Sequence, residues 1–246
     1  MLKIKDIHFS VAEFKILKGV SFEISKGEAV GIIGNNGSGK TTLFNIISGF
    51  ITQSSGEVFF KEKKITNLKA YKRARLGIGR VFQNFGIFSD MSVLENMITA
   101  IESSSKKNLN FILPWSRKHK ANVKLAFEYL KEIGLESKAY DKANSLSGGQ
   151  KRLLEIMRTI AFSTDLILLD EPTAGVSPKM KKDVIKIINK LIAMGKTVIC
   201  IEHDISFIEK FCNRAVVLDS GKLILDDKIS KVKQSPELTE LYFGKS

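Results

Sequence analysis

The stretch Gly34-Asn35-Asn36-Gly37-Ser38-Gly39-Lys40-Thr41-Thr42 matches GxxxxGK[ST] in full. It follows the apolar run Ala29-Val30-Gly31-Ile32-Ile33 and precedes Leu43-Phe44-Asn45-Ile46-Ile47, an order that reads as strand, loop and helix. Glycines let successive backbone N–H groups turn inward around an anion, and the following helix aims its positive end at the same place. In such a loop Lys40 reaches the β- and γ-phosphates of a nucleotide and the Thr41 hydroxyl faces Mg²⁺. A second stretch, Leu166-Ile167-Leu168-Leu169-Asp170-Glu171, is an apolar run ending in two carboxylates. Asp170 is expected to hold Mg²⁺, directly or through water, and Glu171 to orient and polarise a water for attack on the γ-phosphate. Gln83 and His203 each end an apolar segment of their own. Gln83 offers a neutral oxygen to Mg²⁺ or to the water. A single histidine after a strand is more often structural than functional.

These residues share a site only if their strands lie side by side, because parallel sheets bind ligands beyond the carboxyl ends of their strands. The run at 166–171 has the uninterrupted apolar character of a strand buried on both faces. Thr197 to Ile201 is another strand, with Glu202-His203-Asp204 at its end. The segment 77–83 reads as a strand ending in Gln83. Residues 2–30 read as strands broken by Ser25-Lys26-Gly27-Glu28. Glu57 to Phe60 is a short strand that Lys61 to Lys64 closes into a hairpin. Asp219-Ser220-Gly221 turns a second hairpin. Helices are expected over 68–76, over 91–101 with a Ser92/Glu95 capping box, and over 117–133, 150–161 and 178–194. Residues 103–116 read as an irregular insertion.

The 246 residues suffice for one α/β domain with a substantial core, and 43% hydrophobic with 26% charged is ordinary for a globular chain. No apolar run approaches the roughly 18 residues of a membrane span, and the N-terminus lacks a signal-peptide core. Of two cysteines, Cys200 is expected in the core and Cys212 in a helical stretch; neither has metal-ligand spacing. The formal net charge of +13 fits nucleic acid, an anionic membrane surface or a solvated lysine-rich exterior. The lysines are dispersed and no aromatic-interleaved basic run suggests base stacking.

The P-loop, Gln83, Leu146-Ser147-Gly148-Gly149-Gln150, Leu166 to Glu171 and His203, in that order, resemble the ATP-binding subunit of an ABC transporter. The resemblance covers essentially the whole chain, and the pentapeptide is its most specific part. Thr173-Ala174-Gly175-Val176-Ser177-Pro178, Ile201-Glu202-His203-Asp204, the insertion around 103–120 and the tail Leu241-Tyr242-Phe243-Gly244 are most similar to the ATPases of branched-chain amino acid importers. Lipopolysaccharide-export ATPases are similar too, with a shorter insertion. The resemblance implies a single domain over 1–246: a RecA-like P-loop NTPase core of mostly parallel sheet with an antiparallel β subdomain (1–85 and 162–246), and an α-helical subdomain (86–161). It implies ATP and Mg²⁺, with Thr41, Gln83 and Asp170 at the metal and Glu171, Gln83 and His203 in catalysis. It also implies a head-to-tail dimer in which Leu146 to Gln150 of one subunit meet the ATP of the other, attached by integral-membrane permease subunits to the cytoplasmic face of the cell membrane. In the family an aromatic of the N-terminal sheet stacks on adenine; here Val11 holds that place, with Phe9 and Phe14 nearby. Ser177 stands where an aspartate is frequent. Family members that act on DNA carry long coiled-coil insertions, and translational members carry two cassettes. This chain has neither, so no specific nucleic-acid partner is expected.

Overall fold

Three five-residue runs, at 29–33, 166–170 and 197–201, are buried at every position. The computed structural model describes residues 1–84, 86–104 and 115–243. The chain begins with β1 (Leu2–Val11), β2 (Phe14–Ile24) and β3 (Ala29–Ile33), then α1 (Lys40–Ser48), β4 (Ser55–Phe60), β5 (Lys63–Lys64), α2 (Ala70–Leu76) and β6 (Ile78–Val81). Three helices follow, α3 (Val93–Ser103), α4 (Trp115–Glu132) and α5 (Gly148–Ala161). The chain then returns through β7 (Leu166–Asp170), α6 (Pro178–Ala193), β8 (Thr197–Ile201) and α7 (Ile205–Ile208). It closes with β9 (Arg214–Asp219), β10 (Lys222–Lys228), α8 (Ile229–Val232) and α9 (Pro236–Phe243).

Six strands form one sheet in the order β10-β9-β3-β8-β7-β6, parallel except for the β9–β10 hairpin. Four more form an antiparallel sheet, β2-β1-β4-β5. Alternation along the central strands sends side chains to opposite faces. Ile33, Ile167, Leu169, Val198 and Cys200 join a core shared with α3 to α7. Val30, Ile32, Leu166, Leu168, Ile199 and Ile201 join a second core with α1 and the antiparallel sheet. Both faces of the parallel sheet are therefore sealed, leaving its carboxyl edge for chemistry.

One buried cation ties α1 to α2. Arg73 is 1% exposed and donates to Ile46 O (2.6 Å), Ile47 O (3.0 Å), Thr66 O (2.7 Å) and Leu68 O (2.8 Å). Two of these are C-terminal carbonyls of α1 that lack partners within the helix, so the cation sits at the negative end of its dipole. Burial pushes the guanidinium down to about 10.

Several expected boundaries move. The helix expected from Gln150 starts at Gly148, because Ser147 and Gln150 form a reciprocal capping box that outweighs the glycines' poor helix propensity. Trp115, expected in the insertion, opens α4. Cys212 is buried, as Cys200 is, but lies in the turn after α7 and not in a helix. The Ser92/Glu95 box and both hairpins form as expected. The insertion between 105 and 114, including Phe111, lies outside the described residues, as do Phe85 and Gly244.

Candidate functional site

The loop from Gly34 to Gly39 links the buried end of β3 to α1. At Gly39, φ is 102°, and an added Cβ would lie 2.6 Å from Leu17 Cδ2. Only glycine combines that left-handed backbone with so close an approach. The Lys40 ammonium bridges the loop, donating to Gly34 O (2.7 Å) and Asn35 O (2.8 Å). Burial holds it below its ordinary pKa, while the carboxylates of Glu171 and Asp170 pull it upward. The N-terminus of α1 has no side-chain cap and no acidic residue in its first turn. Among the described residues, Ser38 Oγ is buried without a hydrogen-bond partner. An uncapped helix end, a buried ammonium and an unpaired hydroxyl suit a bound anion such as phosphate.

Asp170 ends β7, 2% exposed, and its Oδ2 accepts from Arg80 NH2 at 2.7 Å. The next residue, Glu171, has φ 47°, a left-handed backbone costing a side-chain-bearing residue on the order of 1–3 kcal/mol. That turn throws its carboxylate away from Asp170's pocket toward solvent. Glu171 Oε2 accepts from Gln83 Nε2 (2.8 Å), and Oε1 meets His203 Nε2 (3.0 Å). A carboxylate only accepts, so Nε2 is the donor in that contact. The structure thus brings Gln83, Glu171 and His203 together, from three neighbouring strand ends, beside the loop of Lys40. Thr41 is exposed and Thr42 half-buried in the first turn of α1.

The pentapeptide is folded for a second purpose as well. Ser147 Oγ accepts from Gln150 N, and Gln150 Oε1 accepts from Ser147 N, so both side chains cap α5. A Cβ on Gly149 would lie 2.7 Å from Met180 Cγ, so its bareness also allows α5 to approach α6. Leu146 is buried and Ser147 exposed.

Four residues hold the site together in ways that the motifs alone do not give. Arg80 is the first. The second is Glu202, 5% exposed, whose Oε1 accepts from Thr173 N (2.9 Å) and Thr173 Oγ1 (2.6 Å), while Oε2 accepts from His203 N (3.2 Å). It binds the segment after Glu171 to the segment carrying His203. The third and fourth are Arg152 and Glu155 of α5. Arg152 donates to Phe82 O and to Gln83 O (2.9 Å), and Glu155 Oε1 accepts from Phe82 N (3.0 Å) and Gly86 N (3.1 Å). Burial pushes the Glu155 carboxyl up, and Arg152 with these two N–H groups pulls it back. The helix headed by the pentapeptide therefore grips the segment that presents Gln83. An arginine or glutamate placed among buried apolar positions is the sequence signal that such a partner exists.

Behind Gln83 opens a cavity of about 400 Å³, lined by Phe50, Tyr71, Phe82 and Phe88 with Arg80 and Arg158. Phe50 and Tyr71 are 56% and 55% exposed, so aromatic surface here reaches solvent.

Residues 17–174 match the family model described as ABC transporter. The chain is 36% identical over 251 residues to "Probable branched-chain amino acid transport ATP-binding protein LivG" of Methanocaldococcus jannaschii, covering 99% of this chain and 97% of that one. It superposes on an ATP-binding cassette of an ABC transporter in its ADP conformation with a TM-score of 0.86, 35% identity and coverage of 100% and 99%. A dimeric cassette in a post-hydrolysis state, bound to ADP and Pi, gives a TM-score of 0.80 at 31% identity, covering 93% of this chain and 99% of that one.

Proposed function

The chain belongs to the ABC transporter family of ATP-binding subunits, and we propose that it powers an importer of branched-chain or related amino acids. It is an ATPase with the P-loop NTPase α/β fold, and among its described residues no helix is long and apolar enough to cross a membrane. The convergence of Lys40, Asp170, Glu171, Gln83 and His203 at one edge of the sheet carries the ATPase part of this reading, and the likeness to the LivG protein along nearly the whole chain supports the importer part.

In this reading Gly34 to Thr42 hold the triphosphate of ATP, with Lys40 on the β/γ oxygens. Thr41, Gln83 and Asp170 would hold Mg²⁺, which neutralises charge on those oxygens when bound. Glu171 takes a proton from the water lined up on the γ-phosphate, and its two partners aim it: Gln83 on one oxygen, His203 on the other. His203 is also placed to donate to the γ-phosphate. Phe14, 79% exposed beside the turn of the β1–β2 hairpin, supplies the surface for adenine. It lies two residues from Ile16, whose strand packs on Gly39.

Leu146 to Gln150 of a second subunit complete each site, so two subunits sandwich two ATP molecules head to tail. Residues 1–85 and 162–246 form the nucleotide-binding core and 86–161 the helical subdomain; the packing of α3, α4 and α5 against one another supports that division. The aromatic cavity beside Gln83 receives the permease, which places the protein on the cytoplasmic face of the membrane. Permease contacts in that cavity reach Gln83 through Phe82.

The test is to purify the assembled complex from its native source and identify the membrane partners. Membrane vesicles should then take up leucine, isoleucine or valine with ATP, and Glu171→Gln should stop uptake. Transport of lipid outward, or a complex without an amino acid permease, contradicts the importer reading.

A further inference from the structure

We propose that Arg80 is the positioning residue for Asp170, fixing that carboxylate against the P-loop helix so that it can hold Mg²⁺. The proposal rests on the reading of Asp170 as a metal-holding carboxylate and extends it to a residue outside the motifs.

The two side chains are almost sealed, 7% and 3% exposed. A lone counter-ion would need one contact. Arg80 instead uses both arms of its fork. NH2 donates to Asp170 Oδ2 at 2.7 Å, on β7, while NH1 donates to Asn45 Oδ1 at 2.6 Å and Ser48 Oγ at 3.2 Å, both on α1. The planar guanidinium is thereby a rigid spacer between two elements. One of them begins with Lys40 and Thr41, and the other ends with Asp170. Engaging one carboxylate oxygen fixes the plane of the group and the direction of the other oxygen. Groups that hydrogen-bond to metal-ligating carboxylates commonly control metal affinity this way.

The guanidinium is also enclosed by rings, with its carbon 5.0 Å from the centroid of Phe82 and 5.8 Å from those of Phe44 and Phe50. Phe50 and Phe82 line the aromatic cavity. Arg80 thus belongs to the cavity wall on one side and hydrogen-bonds the carboxylate on the other.

The experiment measures Mn²⁺ binding to the ATP-loaded protein by the loss of the free-ion electron paramagnetic resonance signal. Wild type is compared with Arg80→Gln, Arg80→Lys, Asn45→Ala and Asp170→Asn, and ATP binding in EDTA is measured alongside. Arg80→Gln should raise the half-saturating Mn²⁺ concentration about 10- to 100-fold. Arg80→Lys restores charge without the fork and should remain weakened by about fivefold or more. Asn45→Ala keeps Arg80 and loosens only its anchor, so about threefold weakening is expected even if the Arg80 variants fold poorly. ATP binding in EDTA should stay within about twofold in the Arg80 and Asn45 variants, since Mn²⁺ is absent. Full recovery in Arg80→Lys would reduce Arg80 to a counter-ion and overturn the proposal. So would wild-type Mn²⁺ binding in Arg80→Gln and Asn45→Ala while Asp170→Asn is weakened. Unchanged binding in Asp170→Asn would remove the metal reading of Asp170 itself, and this proposal with it.

Discussion

Asp170 and Glu171 are neighbours in the chain and opposites in environment. Asp170 is buried on regular strand backbone and paired with a buried arginine that has further anchors on α1. Glu171 sits one residue later on left-handed backbone, half-exposed, held by two uncharged or switchable groups, Gln83 and His203. A charged group sealed with its counter-ion is costly to move, because either charge left alone in low dielectric is strongly penalised. A carboxylate at the water boundary, held by hydrogen bonds that can be exchanged, is free to take a proton. One strand end thus provides a fixed group and an adjustable one, and the fold assigns them by burial and not by residue type.

Lys40 serves both, since its charge feels Glu171 and Asp170 together. Lys40→Ala should therefore erase the distinction, abolishing ATP hydrolysis and weakening ATP binding severely, as read by fluorescent-nucleotide titration and phosphate release. Near-normal turnover would remove the phosphate assignment. Asp170→Ala leaves Arg80 buried without its carboxylate and should cost about 3–5 kcal/mol in urea unfolding without nucleotide. A cost below about 1 kcal/mol would mean the pair is not a fixed support. His203→Ala should act on the adjustable side alone, lowering turnover about tenfold or more while the melting temperature hardly moves. The smallest effect concerns backbone strain. Glu171→Gly relieves the left-handed residue that Glu171→Ala keeps, so the glycine variant should melt about 2–4 °C above the alanine one, the shift expected for ~1 kcal/mol.

How legible each part was follows from its range in sequence. The P-loop, the carboxylate pair and the pentapeptide are local patterns, and the central strands announce themselves by continuous apolar runs. The partners that orient them are distant. Arg80 and Asp170 are 90 residues apart, Phe82 and Glu155 are 73 apart, and Glu202 reaches back 29 residues to Thr173. No spacing rule reports such pairs. What was readable was the anomaly: Arg80 in a strand whose neighbours Ile78 and Val81 are core residues. The start of α5 was missed for a different reason. Two glycines argue against helix on propensity, whereas Ser147 and Gln150 argue for it by capping, and capping prevailed. Gly149 belongs to the pentapeptide and is also required by close packing on Met180.

The central claim is that Glu171 acts on the attacking water and is dispensable for holding ATP, whereas Lys40 is needed to hold the phosphates and Asp170 to hold their Mg²⁺. Light scattering on purified Glu171→Gln with ATP, with ADP and without nucleotide tests it most directly. Glutamine keeps the shape of the side chain but cannot take the proton, and the loss of one carboxylate charge near the triphosphates eases their binding. The variant should form a stable dimer only with ATP and leave that ATP uncleaved, while the wild-type protein stays mainly monomeric at steady state. A variant that remains monomeric with ATP, or hydrolyses it at the wild-type rate, would contradict the account.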